Sequence, residues 1–332
     1  MKQKNLLCLT GIVLLALAVR LPRFLAAQVV LTEGTTYATI ARNLAAGRGY
    51  VGILGVRDFF VPPLYPLLIS GLIRLGMDAL WAGRLLSLIL GALLPLPVYW
   101  LTRELSGRRA AGLFAALFMA GHPLLIVYAA RVWSETTYSF LVWCGLCCGW
   151  AALSGGKWTA AAMAGLCFGT AYLTRHEGAV YLVIFVALLI ADCGLRIAES
   201  EIRNQQSEIT APLRQIVVAL AVFALLAVPY VVWLSGQAGR FVWETKSVPN
   251  FVTTQRMAAG LDYVEAAYGL TAEGEPAGPF LFRNELLRQP PTEGGLSLAV
   301  RLGGMANGLR EEARLLLTEI ASPLALLLAL FG

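Results

Sequence analysis

The chain has 332 residues, 58% of them hydrophobic and 14% charged, with a formal net charge of +6. Soluble domains carry roughly a quarter charged residues, so an ordinary water-soluble globule is excluded and a polytopic, all-α membrane protein is expected. The surplus of positive charge is no nucleic-acid signal, because the basic residues sit mostly at the ends of apolar runs and no aromatic-interleaved basic groove accompanies them.

In chain order, runs without internal charge, or with charge only near their ends, cover 5–26, 81–101, 110–130, 136–153, 158–173, 178–193 and 215–235. Most approach the roughly 20 residues that cross a hydrocarbon core. A backbone in lipid must satisfy its own hydrogen bonds, so these runs are predicted helices. The first opens with Lys2 and Lys4 as a signal peptide would. Arg20, Pro22 and Arg23 separate it from any small-residue cleavage site, which predicts a retained anchor.

Between the first two spans, 27–80 forms a structured outer loop. Tyr37, Ile40, Ala41 and Leu44 fall at i, i+3, i+4 and i+7, with Thr35 or Thr36 as N-cap and Gly47 past the end. This predicts a short amphipathic helix on the membrane surface. The apolar stretch 62–77 contains Pro62, Pro63, Pro66 and Arg74 and is read as interfacial or re-entrant, not as a span. The domain plan is therefore a membrane core over 1–235 and a non-cytoplasmic loop or small subdomain over 236–312. The last segment, 313–332, reads as the start of a further membrane helix cut short by the chain end.

Alternation of these spans puts Lys2 and Lys4, Arg103, Arg108 and Arg109, Lys157, and Arg196, Arg203 and Arg214 on one side. Short basic loops stay cytoplasmic. The six cysteines lie in or at the ends of apolar spans, which speaks against a disulfide framework. Cys144-x-x-Cys147 reads as small residues packing between helices rather than as a redox motif. His122, before Pro123 inside the third span, reads as a hydrogen-bonded packing residue.

The remaining ionisable residues gather at span ends facing the other compartment: Glu33, Glu135, the run Arg175-His176-Glu177, and the region 236–312. An ion-coupled carrier would hold charge near the midplane. Clustering at one surface instead points to membrane-surface chemistry.

At these residues a family resemblance emerges. Glu33-Gly34-Thr35-Thr36-Tyr37-Ala38-Thr39-Ile40-Ala41-Arg42-Asn43-Leu44-Ala45-Ala46-Gly47 resembles the first-loop motif of the GT-C glycosyltransferases (glycosyltransferase family 39-like). The nearest likeness is to bacterial relatives of dolichyl-phosphate-mannose protein mannosyltransferases and lipid A aminoarabinose transferases. Pro62-Pro63-Leu64-Tyr65-Pro66, Tyr128-Ala129-Ala130-Arg131-Val132-Trp133-Ser134-Glu135 and Leu173-Thr174-Arg175-His176-Glu177-Gly178 are similar to the same family, and the likeness extends over about residues 10–250. Where the family has an acidic pair this chain reads Glu33-Gly34, and Val61 precedes the proline pair where relatives often carry Lys or His.

The resemblance implies a GT-C-type helical bundle and a hexosyl- or pentosyltransferase that moves sugar, with inversion, from a polyprenyl-phosphate donor to an acceptor hydroxyl on a glycan, lipid or protein. It implies Glu33 and Glu135 as catalytic carboxylates, and Tyr37, Arg131, Arg175, His176, Glu177 and Lys246 as substrate-binding residues. It further implies Glu135 as ligand of a divalent metal cation, with no nucleotide cofactor. The expected location is the plasma (inner) membrane, multi-pass, with the site non-cytoplasmic. The rival readings are a lipid or polysaccharide transporter or flippase and a non-catalytic subunit of an envelope assembly complex.

Overall fold

The computed structural model describes residues 2–26, 32–53, 55–203, 210–261, 265–266 and 310. The chain divides into two units, Met1–Arg288 and Gln289–Gly332, and the twelve helices named below lie in the first. The Gly/Pro breaks near 290 and the apolar tract 322–331 lie outside the described residues.

The described part is an all-α polytopic membrane protein. Its helices are α1 (Lys2–Ala26), α2 (Thr32–Ala45), α3 (Leu64–Arg74), α4 (Ala79–Leu93), α5 (Pro95–Ser106), α6 (Arg109–Gly121), α7 (Pro123–Ala129), α8 (Glu135–Gly155), α9 (Trp158–Thr174), α10 (Gly178–Arg203), α11 (Thr210–Ala238) and α12 (Ser247–Ala258). Among the described residues five helical stretches are long and apolar enough to cross a membrane, with α4 and α5 forming one of them, and the bent pair α6–α7 makes a sixth. α3, at 11 residues, is too short to cross.

Local chemistry sets the boundaries. Asp78 starts α4, its Oδ1 accepting from the amides of Leu80 at 2.9 Å and Trp81 at 3.3 Å. Gly107 and Gly156, at φ +65° and +66°, end α5 and α8 in the left-handed conformation that closes a helix without a Cβ penalty.

Three helices, α8, α9 and α11, pack through small residues. A Cβ added at Gly165 would lie 2.5 Å from the Ala219 carbonyl oxygen, and one at Gly145 would lie 2.5 Å from the Phe168 ring. Glycine is required there for the backbones to approach. This packing buries one face of α9, including Ala161, Ala164, Phe168 and Ala171. All six cysteines are free, and the Cys147 thiol donates to the Pro97 carbonyl at 3.2 Å, joining α8 to α5.

Two expectations require correction. The apolar run 110–130 is not a straight helix but two, bent by 57° at His122–Pro123. Proline has no amide hydrogen, so the Met119 carbonyl loses its i+4 donor, and the bend carries Leu124 away from the Ala120 carbonyl. Arg20 of α1 fills this gap: Nη1 donates to Ala120 O at 2.6 Å and to Ala16 O at 2.9 Å, and Nη2 to Met119 O at 3.2 Å. The arginine is fully buried; its place is explained by the broken helix, not by a membrane surface. Arg20→Met is therefore expected to orphan the buried Ala120 carbonyl at about 1–3 kcal/mol, and the part-buried Met119 carbonyl at less. A lower melting temperature in detergent checks this, with Arg20→Lys falling between mutant and wild type. An unchanged melting temperature for Arg20→Met contradicts it.

The second correction concerns α2, which begins at Thr32. Thr35 and Thr36 are therefore inside the helix, and Glu33 sits in its first turn, where a negative charge suits the exposed amides. The expected apolar face is present. Tyr37, Ile40 and Ala41 are buried against Tyr65 and Ile69 of α3, Ala82 of α4, and Val132, with Leu44 partly buried beside them. The face thus meets protein.

Contacts sort the helix ends into two groups. Arg109 reaches Cys8 at 3.5 Å, Gln215 donates to Ala152 O at 2.8 Å, and the Arg214 guanidinium lies 5.0 Å from the Trp158 ring centroid. These ties join the early part of α1 to the start of α6, and the start of α11 to the end of α8 and the start of α9. α2, α3 and the ends that carry the acidic residues form the other group.

Candidate functional site

The start of α8 is pinned to α2. The Tyr37 hydroxyl and Ser134 Oγ lie 3.0 Å apart, and the Tyr37 ring packs edge-on to Tyr65 at 5.0 Å. Tyr65 in turn hydrogen-bonds Gly83 O and Ser87 Oγ, each at 3.1 Å. Burial raises the Tyr37 phenol well above its ordinary pKa; the Ser134 hydrogen bond and Arg175 oppose this, while Glu33 and Glu135 add to it. Both carboxylates and the guanidinium therefore act on one hydroxyl. Glu33 stands four residues before Tyr37 on the same helix, hence on the same face, and is exposed.

Beside this hydroxyl runs a chain of ion pairs. Glu135 Oε1 pairs closely with Arg175 Nη1. Arg175 Nη2 lies 3.3 Å from Glu177 Oε1, and Lys246 Nζ lies 3.4 Å from the same oxygen. The Arg175 guanidinium also stands 5.8 Å from the Tyr138 ring centroid. Partial burial alone would lower the Arg175 pKa and raise that of Glu177. The surrounding opposite charges outweigh it in both cases, holding Arg175 above and Glu177 below their ordinary values. Arg175 and Glu135 are only 22% and 21% exposed, whereas Glu177 is 47% exposed, so the first pair is the stronger and the second is more screened.

The turn that carries Arg175 and Glu177 joins α9 to α10. Gly178 makes it possible: a Cβ there would lie 2.4 Å from the Tyr172 amide nitrogen and 2.6 Å from the Ala171 carbonyl carbon. Lys246 is placed by a strap between α11 and α12. Tyr172 donates to Trp243 O and Thr245 Oγ1 to Phe60 O, both at 2.5 Å, and Ser235 Oγ bonds the Val242 amide and carbonyl at 3.0 and 3.1 Å. Glu244 Oε2 accepts from the amides of Lys246 at 2.8 Å and Ser247 at 2.9 Å, opening α12.

Of the residues expected at the site, Glu33, Tyr37, Glu135, Arg175, Glu177 and Lys246 thus lie in one electrostatic neighbourhood. His176 turns into the packing between α9 and α11. It is 5% exposed, its Nε2 lies 3.1 Å from the Tyr230 hydroxyl, and its ring stacks on Tyr230. Burial is the main cause that pushes its pKa down to about 4, so the ring is neutral at physiological pH. Arg131 lies over the Trp133 ring at 4.6 Å.

The residue expected to hold a metal, Glu135, is ion-paired on one oxygen. Among the described residues no three His, Cys, Asp or Glu side chains come together as ligands. Glu135 Oε1 faces the Arg175 guanidinium. Glu135 Oε2 is buried without a hydrogen bond to any described residue. The missing polar partners at the two departures from the family pattern are structural: Val61 belongs to the apolar cluster with Tyr37 and Tyr65, and Gly34 is buried.

Sequence reasoning missed Ser134, Tyr138 and the strap residues Trp243 and Thr245. Tyr138 follows Glu135 by three residues, a helical spacing that places it beside Glu135, and Ser134 is the residue from which α8 starts. The strap left no periodic signal.

Residues 61–233 match the family described as dolichyl-phosphate-mannose-protein mannosyltransferase. The match includes the turns bearing Glu135 and Arg175–Glu177 and begins after Glu33. No curated protein and no solved structure matches the chain. Because the family match spans just over half of the 332 residues and the chain has an all-α, multi-pass architecture, the protein belongs to the dolichyl-phosphate-mannose-protein mannosyltransferase family of GT-C membrane glycosyltransferases.

Proposed function

We propose that this chain transfers a sugar from a polyprenyl-phosphate donor to an acceptor hydroxyl, with inversion, on the non-cytoplasmic face of the membrane. The observation that carries the reading is the ion-pair chain Glu135–Arg175–Glu177–Lys246 beside Tyr37 and Glu33, in a member of a glycosyltransferase family. Glu33, exposed at the start of α2, takes the proton of the acceptor hydroxyl as its oxygen attacks the anomeric carbon. The bond from that carbon to the phosphate oxygen breaks on the opposite face, which inverts the centre. Arg175 and Lys246 receive the negative charge that gathers on the departing phosphate. Glu135 holds Arg175 in place and limits its movement. The polyprenyl tail stays in the bilayer, where each buried CH₂ contributes about 0.8 kcal/mol, leaving only the head for the polar residues to position.

Sidedness follows from charge. The turns bearing Arg103, Arg108 and Arg109 and bearing Lys157 belong to the opposite group of helix ends from the acidic cluster, and basic short loops face the cytoplasm. Single cysteines at Ala46 and Ser154, both exposed, test this in a background without the six native thiols. A membrane-impermeant maleimide applied from outside is expected to label Ala46→Cys and spare Ser154→Cys. The reverse pattern overturns the sidedness.

A further inference from the structure

Two cations converge on a single carboxylate oxygen. Arg175 Nη2 and Lys246 Nζ stand 3.3 and 3.4 Å from Glu177 Oε1, while Arg175 turns its other nitrogen, Nη1, to Glu135. A point between a guanidinium and an ammonium, each with an N–H directed at it, is the geometry that holds an oxygen of a phosphate ester. Here that point is filled by the protein's own oxygen.

We propose that Glu177 is an internal counter-ion that occupies the phosphate position until a phosphate ester displaces it. The proposal rests on the lipid-phosphate reading of the site and changes the role of Glu177 from a substrate contact to a competitor. Charge balance requires the exchange. Glu135, Arg175, Glu177 and Lys246 carry two negative and two positive charges, so an arriving phosphate monoanion would meet no net attraction with Glu177 in place. Glu177 is the member free to leave: it is 47% exposed, against 21% for Glu135, and solvent can take its carboxylate at little cost. When it swings out, Arg175 keeps Glu135 on Nη1 and presents Nη2, together with Lys246, to the phosphate. No covalent step is involved. The device keeps the two cations neutralised against other anions and hands them over only to a ligand whose tail brings its phosphate there at high local concentration.

The test is binding of farnesyl phosphate to purified full-length protein in nanodiscs, with farnesol, inorganic phosphate and phosphatidylglycerol as separate arms. Glu177→Gln keeps size and hydrogen bonding and removes the charge. It is expected to tighten farnesyl phosphate roughly 3–10-fold, the factor for a site otherwise open in about a tenth to a third of molecules, with farnesol unaffected. Lys246→Gln is expected to weaken the same binding, and the double variant to lose the gain. An equal gain for inorganic phosphate or phosphatidylglycerol would mean a general anion site and overturn selective displacement. If Lys246→Gln and Arg175→Gln weaken farnesyl phosphate while Glu177→Gln leaves it unchanged or weaker, the counter-ion proposal fails and the lipid-phosphate reading stands. If wild type and all variants bind farnesyl phosphate no better than farnesol, both fail.

Discussion

Glu33→Gln is expected to lower sugar transfer by about 10²–10⁴, the usual contribution of a general base, with expression and membrane insertion unchanged. The amide keeps the shape of the side chain and its place in the first turn of α2 but cannot accept the acceptor's proton. Because Glu33 is exposed, removing its charge costs at most about 0.3–1 kcal/mol, the worth of a favourable first-turn charge, so the loss should appear chiefly in kcat, with only a small change in melting temperature. Donor binding should be nearly unaffected. A transfer rate within a few-fold of wild type would remove Glu33 from the chemistry and leave Glu135, whose Oε2 has no hydrogen bond to any described residue, as the carboxylate to examine.

The second large effect is expected at Arg175, and here stability and catalysis should separate. Arg175→Gln removes the partner of Glu135, only 21% exposed. An uncompensated charge of that kind costs about 3–5 kcal/mol when fully buried, and somewhat less here because some solvent remains. It also removes a cation from the departing phosphate, worth roughly 10²–10³ in rate. Adding Glu135→Gln neutralises the stranded carboxylate and is expected to restore most of the melting temperature but none of the transfer. Recovery of transfer in the double variant would make Arg175 a structural counter-ion alone.

Much of the fold was legible because lipid simplifies the reading: apolar length and the need to satisfy the backbone leave helices as the solution. The face of α2 was legible for the same reason, since Tyr37, Ile40, Ala41 and Leu44 repeat at helical spacing. What packs on that face was not, because a period names a buried stripe and not its partner. The short α3 could be read from three prolines and an arginine in an apolar stretch. The bend at His122–Pro123 escaped because proline is tolerated inside membrane helices whenever another group takes up the freed carbonyls. Here that group is Arg20, about a hundred residues away in sequence, and no local pattern links the two.

At the site, the sequence supplied the charged residues at helix ends but not their pairing. Glu135, Arg175, Glu177 and Lys246 come from three separate turns, and only the fold decides which oxygen faces which nitrogen. Glu135 shows the consequence: its spacing in the sequence did not reveal that Arg175, forty residues on, would face its Oε1. His176 carries the same lesson, since a histidine between Arg175 and Glu177 in sequence points the other way in space, into Tyr230.

A lipid-phosphate sugar as donor is the central claim. Its most direct measurement is transfer of labelled sugar by purified full-length protein to crude envelope acceptor, from a polyprenyl-phosphate sugar or from a nucleotide sugar, with no other lipid carrier present. Product from the polyprenyl-phosphate sugar and none from the nucleotide sugar is the expected result. Product from the nucleotide sugar alone would contradict it.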